Sequence, residues 1–261
     1  MYFVFIICLV FSILYLNPAS AGVGSASGAD FLKLGGGARP LALGDAYAAL
    51  GNDASSVFYN PAGLGRMVFP EVMTMYNSWL ADTRQQAAAV ALPLKFGTLA
   101  FGYSSLTSGN IQGYDAAGAL TSVFDTGSTV MSLSLGRSIS PNLFWGVSVK
   151  SISDRLETIT ARTTALDAGI TFLPNPNLLF GLSVMNAGSG LVYVTENTAL
   201  PTCYRAGLAY KASLLNEDIR LAGDLAAYPD GTKLNIGMEY LIRDFLALRL
   251  GNAAGSLRAW I

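Results

Sequence analysis

The chain has 261 residues, of which 52% are hydrophobic and only 13% charged, and its net charge is −1. With no Lys/Arg cluster, nucleic-acid binding has no support. The absence of histidine removes His-based general bases and His metal ligands, and with them most hydrolase triads and zinc sites. No nucleophile is paired with a base, so the expectation is a protein without enzymatic activity, cofactor or metal.

Residues 1–21 read as a secretory signal peptide. An apolar stretch from Tyr2 to Leu16 leads to Asn17-Pro18 and then Ala19-Ser20-Ala21, an A-x-A cleavage pattern before Gly22. No Lys or Arg precedes the apolar stretch, so an uncleaved anchor is the alternative. Cys8 falls within this segment, which leaves Cys203 as the one thiol of the mature chain, read as a small strand residue. After residue 21 no apolar run is long enough for a transmembrane helix. An apolar chain of this kind points to strands, because closed barrels are the other way to span a bilayer.

Residues 22–69 are rich in Gly and Ala and are expected to form a small unit of their own. The pattern predicts a short extended piece at Leu41–Leu50. A short helix is then expected near Ala54–Tyr59, N-capped by Asp53 and stopped before Pro61. Gly35-Gly36-Gly37 lacks a following Gly-Lys-Ser/Thr and reads as a flexible turn, not a phosphate loop.

From Pro70 onward the sequence has period two. Leu99, Phe101 and Tyr103 alternate with Ala100, Gly102 and Ser104, and Val147 and Val149 alternate with Gly146, Ser148 and Lys150. Such alternation predicts strands with one apolar and one small or polar face. Eleven are expected, the last at 244–251, followed by an irregular tail over 252–261. The polar face carries Lys150, Arg205, Lys211, Arg220, Asp224, Glu239 and Arg249, which are expected to point into a lumen while the other face meets lipid. Connections at 93–96, 138–142, 173–177, 211–218 and 241–244 are short. Those at 80–85, 107–127, 153–163 and 187–201 are mostly longer, as in outer-membrane barrels.

Gly28-Ala29-Asp30-Phe31-Leu32-Lys33-Leu34-Gly35, Gly37-Ala38-Arg39-Pro40, Gly44-Asp45-Ala46-Tyr47, and Asp53-Ala54-Ser55-Ser56 leading to Asn60-Pro61-Ala62-Gly63-Leu64 together resemble the N-terminal signature of the PorV/PorQ family. That family is related to the FadL-type outer-membrane transporters. Arg205-Ala206-Gly207-Leu208-Ala209-Tyr210, Gly237-Met238-Glu239-Tyr240 and Leu246–Gly251 add support, so the likeness covers about residues 25–251. The resemblance implies an all-β transmembrane antiparallel barrel of fourteen strands, an even number as such barrels have. It also implies an N-terminal hatch filling the barrel, with Arg39, Asn60, Pro61, Ala62 and Gly63 as the hatch motif. Because eleven strands are expected here, and Ile261 is not the usual aromatic ending, residues 70–251 are expected to be an incomplete barrel. The chain would then be a fragment or a prematurely stopped reading frame, unless a strand is miscounted.

Three functions stay open. The first is a non-enzymatic outer-membrane protein of PorV/PorQ type, serving protein secretion or surface attachment (type IX-like), with outer-membrane lipid and secreted clients or secretion subunits as partners. Its external surface would come from 107–127, with Ile111, Tyr114, Leu120, Val123 and Phe124. The second is a FadL-like channel for hydrophobic small molecules, with Phe31, Leu32, Leu34, Val57 and Phe58 as candidate pocket residues that ordinary plug packing would also explain. The third is a soluble or surface β-sandwich with a binding role. Arg39 is expected to pair with Asp224 or Glu239.

Overall fold

The computed structural model describes residues 29–79, 82–115, 117–214, 217–243 and 245–254. The expected signal peptide, with Cys8, lies outside the described residues. Alternation after residue 70 becomes one antiparallel sheet whose strands stand in chain order. They are β1 (Glu71–Ser78), β2 (Thr83–Leu94), β3 (Gly97–Tyr114), β4 (Leu120–Ser140), β5 (Leu143–Leu156), β6 (Ile159–Asn175) and β7 (Leu178–Gly188), then β10 (Cys203–Leu214), β11 (Glu217–Tyr228), β12 (Gly231–Ile242) and β13 (Leu246–Ala254). Between β7 and β10 a small hairpin, β8 (Leu191–Tyr193) with β9 (Glu196–Thr198), forms the second sheet among the described residues.

Three expectations about the large sheet need correction. Much of the loop expected at 107–127 is strand. β3 and β4 stay paired from Thr98–Gly136 through Ile111–Phe124 to Tyr114–Leu120, with register shifts after Ser108 and Gly113. Similarly, β5 and β6 remain in register to Leu156–Ile159, where a loop over 153–163 was expected. Gly, Ser and Thr make these stretches look like turns, but a partner strand supplies their hydrogen bonds. The irregular tail expected over 252–261 is strand at its start, where Asn252, Ala253 and Ala254 pair with Ile236, Asn235 and Leu234, and the rest of it lies outside the described residues.

The described residues before β1 form four short helices: α1 (Asp30–Lys33), α2 (Ala38–Ala42), α3 (Ala54–Phe58) and α4 (Pro61–Arg66), all 3-10 except α2. Asp53 caps α3 as expected, its side chain accepting from the Ser55 amide at 3.0 Å. Pro61 does more than stop α3. It opens α4, where a missing N–H costs nothing, and Asn60 caps that helix by accepting from the Ala62 amide at 3.0 Å. The extended piece expected at Leu41–Leu50 is instead a helix end and turns. Gly44 and Asp45 adopt φ of 62° and 64° there, a left-handed pair that an extended segment cannot contain.

These helices form a plug seated on one face of the sheet and touching the wall from edge to edge. At one edge the Gly37 amide donates to Met75 Sδ on β1 at 3.3 Å. At the other, the Gly44 backbone lies against Asn252 of β13, so close that a Cβ on Gly44 would stand 2.4 Å from the Asn252 nitrogen. Flat, eleven strands about 4.8 Å apart would spread over about 48 Å. The chain from Gly37 to Gly44, mostly helical at about 1.5 Å per residue, reaches only on the order of 15 Å. The sheet therefore curls round the plug.

What lets it curl so tightly is a belt of glycines on the plug face. A Cβ on Gly146 would fall 2.3 Å from the Pro61 carbonyl, and one on Gly181 would fall 2.2 Å from the Ala48 oxygen. Gly136, Gly146 and Gly169 are cross-strand neighbours in one row of β4, β5 and β6, and Gly181 faces Gly207 across β7 and β10. The outer face is the reverse, with Phe101, Leu133, Val149, Leu182 and Leu250 all exposed. Gly146→Ala is expected to push α4 off the wall and cost about 1–3 kcal/mol. Gly223→Ala, where the nearest atom, the Asn235 carbonyl oxygen, is 3.8 Å away, should be close to neutral. Thermal unfolding followed by the circular dichroism of the strands would measure both, and equal midpoints would remove the close-packing account.

Candidate functional site

Chemistry in this molecule gathers where plug meets wall. Arg220, Glu239 and Arg249 occupy one cross-strand row of β11, β12 and β13. Glu239 is fully buried, and Arg39 grips it from the plug with two bonds, Nε to Oε1 at 2.9 Å and Nη2 to Oε2 at 3.0 Å. Arg220 Nη1 adds a bond to Oε2 at 3.0 Å, and Arg249 Nε one to Oε1 at 2.7 Å. Four donors fill the roughly four lone-pair positions of a carboxylate. Three guanidinium groups therefore share one acid.

Arg39 spends its remaining nitrogen on the plug itself. Its Nη1 donates to Tyr47 Oη at 2.9 Å, Asn52 Oδ1 at 3.0 Å and Asp53 Oδ2 at 3.0 Å. Tyr47 also donates to Asp53 Oδ2, the same carboxylate that caps α3. One side chain thus ties the α3 N-terminus to the far wall. Of the two carboxylates expected for Arg39, the structure selects Glu239. Asp224 is occupied otherwise, accepting from the Tyr47 and Ala48 amides at 2.8 Å each. Arg205 stands beside it, 3.4 Å from Asp224 and 2.9 Å from the Asp45 carbonyl.

A third cation in the plug, Arg66, is one that nothing in the sequence pattern marks. Its Nη1 reaches the carbonyls of Ala49, Leu50 and Gly51, at 2.9 Å for Gly51. Burial, with the positive charges of Arg39 and Arg220 nearby, pulls its guanidinium down to about 10, still charged at neutral pH. Tyr59 Oη donates to Asp45 at 2.6 Å, and burial holds that hydroxyl well above its ordinary value.

The hatch motif divides by role. Asn60 binds in every direction, with Nδ2 donating to the Ala48 carbonyl at 2.8 Å and to Ile170 and Thr171 of β6 at 3.2 and 3.3 Å. Pro61, Ala62 and Gly63 are buried and supply close backbone. A Cβ on Gly63 would meet Ser56 Oγ at 2.6 Å. The other wall charges expected in the lumen, Lys150 and Lys211, lie on the plug face. Lys150 pairs with buried Asp167 at 2.8 Å and donates to Asn186 at 2.7 Å, while Lys211 faces Arg220 across β10 and β11.

The candidate pocket residues do not share one pocket. Phe31 is buried with Val130, Ile152, Leu191 and Leu200, with Leu32 and Leu34 against that cluster. Val57 belongs to a separate cluster with Ala54, Leu64 and Ala100, and Phe58 packs against it. A cavity of about 30 Å³ lies between Leu32, Leu34 and Phe58 on one side and Lys150, Asn186 and Arg205 on the other. That is room for about one water and is lined by polar groups. Cys203 is a free, buried thiol. Among the described residues no cluster of three or more His, Cys, Asp or Glu could hold a metal.

Removing Glu239 strands three guanidinium groups, whereas removing Arg39 leaves Glu239 two partners. Glu239→Ala is expected to cost about 3–5 kcal/mol, and Arg39→Ala about 1–3 kcal/mol. Denaturant unfolding would rank them, and the reverse order would contradict the shared clamp. A scan against protein-family models found no match, and a search of curated proteins found no relative.

Proposed function

We propose that this protein is an outer-membrane β-barrel of PorV/PorQ type, non-enzymatic and plugged, working in protein secretion or surface attachment. The observation that carries the membrane reading is the inversion of the sheet. Large apolar side chains stand on the outer face of strand after strand, Val72, Phe101, Leu133, Val147, Leu182, Leu208 and Leu248 among them, 42–69% exposed. Charged and polar side chains, Lys150, Asp167, Arg205, Asp224, Asn235 and Glu239, are buried on the other. Water-soluble monomers rarely expose contiguous apolar patches beyond a few hundred Å². Hydrocarbon is the solvent in which this arrangement is stable. Among the described residues no second large sheet covers the outer face, which disfavours the β-sandwich.

Two further observations support a plugged adaptor. The space expected for a hydrophobic ligand beside the plug is packed, leaving about 30 Å³. β3, β4, β5 and β6 run 14–21 residues, longer than the 9–11 of a tilted crossing. The hairpin ends they carry expose Tyr114, Leu120, Val123, Leu156 and Ile159, a surface suited to a protein client. The second reading, a FadL-like channel for hydrophobic small molecules, is favoured by one feature. An open apolar groove of about 540 Å³ lies on β6, β7, β10 and β11, lined by Ile170, Leu182, Tyr204 and Leu225.

Refolding into phosphatidylcholine vesicles tests the membrane reading. The chain should float with the vesicles and resist carbonate extraction, and Leu133→Arg should weaken insertion by about 2–4 kcal/mol. A chain that stays monomeric in buffer without detergent would refute it. In planar bilayers the plugged chain should conduct poorly and Arg39→Ala should conduct more, while equal conductance would exclude Arg39 as the residue that holds the plug shut.

A further inference from the structure

We propose that the plug–wall junction at Lys211, Arg220 and Arg66 binds an oxyanion of the phosphate class.

The argument begins with charge. Arg39, Arg220 and Arg249 bond to Glu239, and Arg66 and Lys211 lie within reach of their charges, while the acids there are Glu239, Asp53, Asp218 and Glu71, the last also accepting from the Ala54 amide at 3.4 Å. Five cations against four acids leave an excess of one positive charge. The excess can be located. Arg66 is held by three carbonyls and by no carboxylate among its hydrogen bonds. Lys211 lies directly opposite Arg220 in the β10–β11 ladder, an arrangement of like charges that destabilises a sheet. The acid that bears on Lys211 is Asp218, which is 51% exposed and already bonded to Ser213 Oγ at 3.2 Å.

Arg220 supplies the second, independent observation. Its Nη1 is committed to Glu239 and its Nη2 is 4.0 Å from Asp218. Its Nε is buried and has no hydrogen-bond partner. A buried guanidinium N–H without an acceptor carries a desolvation cost that an oxyanion would remove. Charge-assisted bonds from a guanidinium fork and an ammonium group suit a tetrahedral oxyanion better than a neutral ligand. Glu239 has its acceptor positions filled and the glycine belt holds the plug in place, so the site is set before any ligand arrives. Inorganic phosphate and the phosphate of a lipid headgroup share this chemistry.

The test is calorimetric titration of the full chain in maltoside micelles, with inorganic phosphate in one arm and lysophosphatidylglycerol in the other. Lysophosphatidylcholine, whose phosphate is neutralised, is the control. Wild type should bind at one site, and Lys211→Gln should weaken binding by about tenfold or more, as loss of a charge-assisted bond does. Lys211→Arg should retain it, and Lys95→Gln, on the β2–β3 turn, should leave it unchanged. Strand circular dichroism and the thermal midpoint of each variant establish that the fold survives. Binding of free phosphate assigns a soluble ligand, and binding of lysophosphatidylglycerol alone assigns a lipid headgroup; both support the site. No binding in either arm, or equal binding by Lys211→Gln, overturns it. The titration does not depend on vesicle insertion, so failure of the membrane reading would leave its result standing.

Discussion

The constraint on which the rest of the structure depends is that the plug's backbone touches the wall's backbone. Where Pro61 crosses β5 and Ala48 crosses β7 there is no space even for a methyl group. The wall must therefore be glycine at those points, and the glycines must fall in register across neighbouring strands. A slip of one residue along β5 or β7 would replace the glycine with Trp145 or Val147, or with Phe180 or Leu182. Strand register and plug position are consequently one problem with one solution.

Close approach also creates a demand for hydrogen bonds, because plug amides and carbonyls against a wall cannot reach water. Wall side chains meet it. Asp224 takes two successive amides, Ser183 donates to the Tyr59 carbonyl at 2.9 Å, and Arg205 donates to the Asp45 carbonyl. These groups explain why the buried face is polar and leaves the apolar residues for the outside. The charges there add little net stability compared with a well-packed apolar interior. What they contribute is position, since Asp224 and Glu239 accept from particular plug groups.

Much of this was legible in the sequence. Period two located the strands, because the two faces differ so sharply in side-chain size. Asp53 marked a helix start through a local bond that needs no tertiary context, whereas Pro61 was read as a stop alone although it also opens α4. Longer-range features were not legible. Ser108 and Gly113 read as loop because their local preference is for turns, while the partner strand that overrules it is distant in sequence. The left-handed Gly44-Asp45 pair follows from contact with β13, which residues 41–50 do not announce. Arg39 was readable as a residue seeking an acid, but choosing Glu239 over Asp224 needs the order of β11 and β12 and the path of Tyr47. The roles of Arg66 and Tyr47 were missed, because both depend on plug carbonyls and carboxylates brought together by the fold. Recurring glycines on the small face were visible too, but their purpose appears only once something is pressed against them.

The Arg39–Glu239 grip has a consequence for how the plug could ever be moved. A guanidinium does not lose its proton in proteins. Histidine, the side chain whose ordinary charge change falls between pH 5 and 8, is missing from the whole chain. The latch is therefore blind to mild acidification and has no built-in chemical trigger. Moving the plug would take a force, or a rival anion able to draw Arg39 from Glu239.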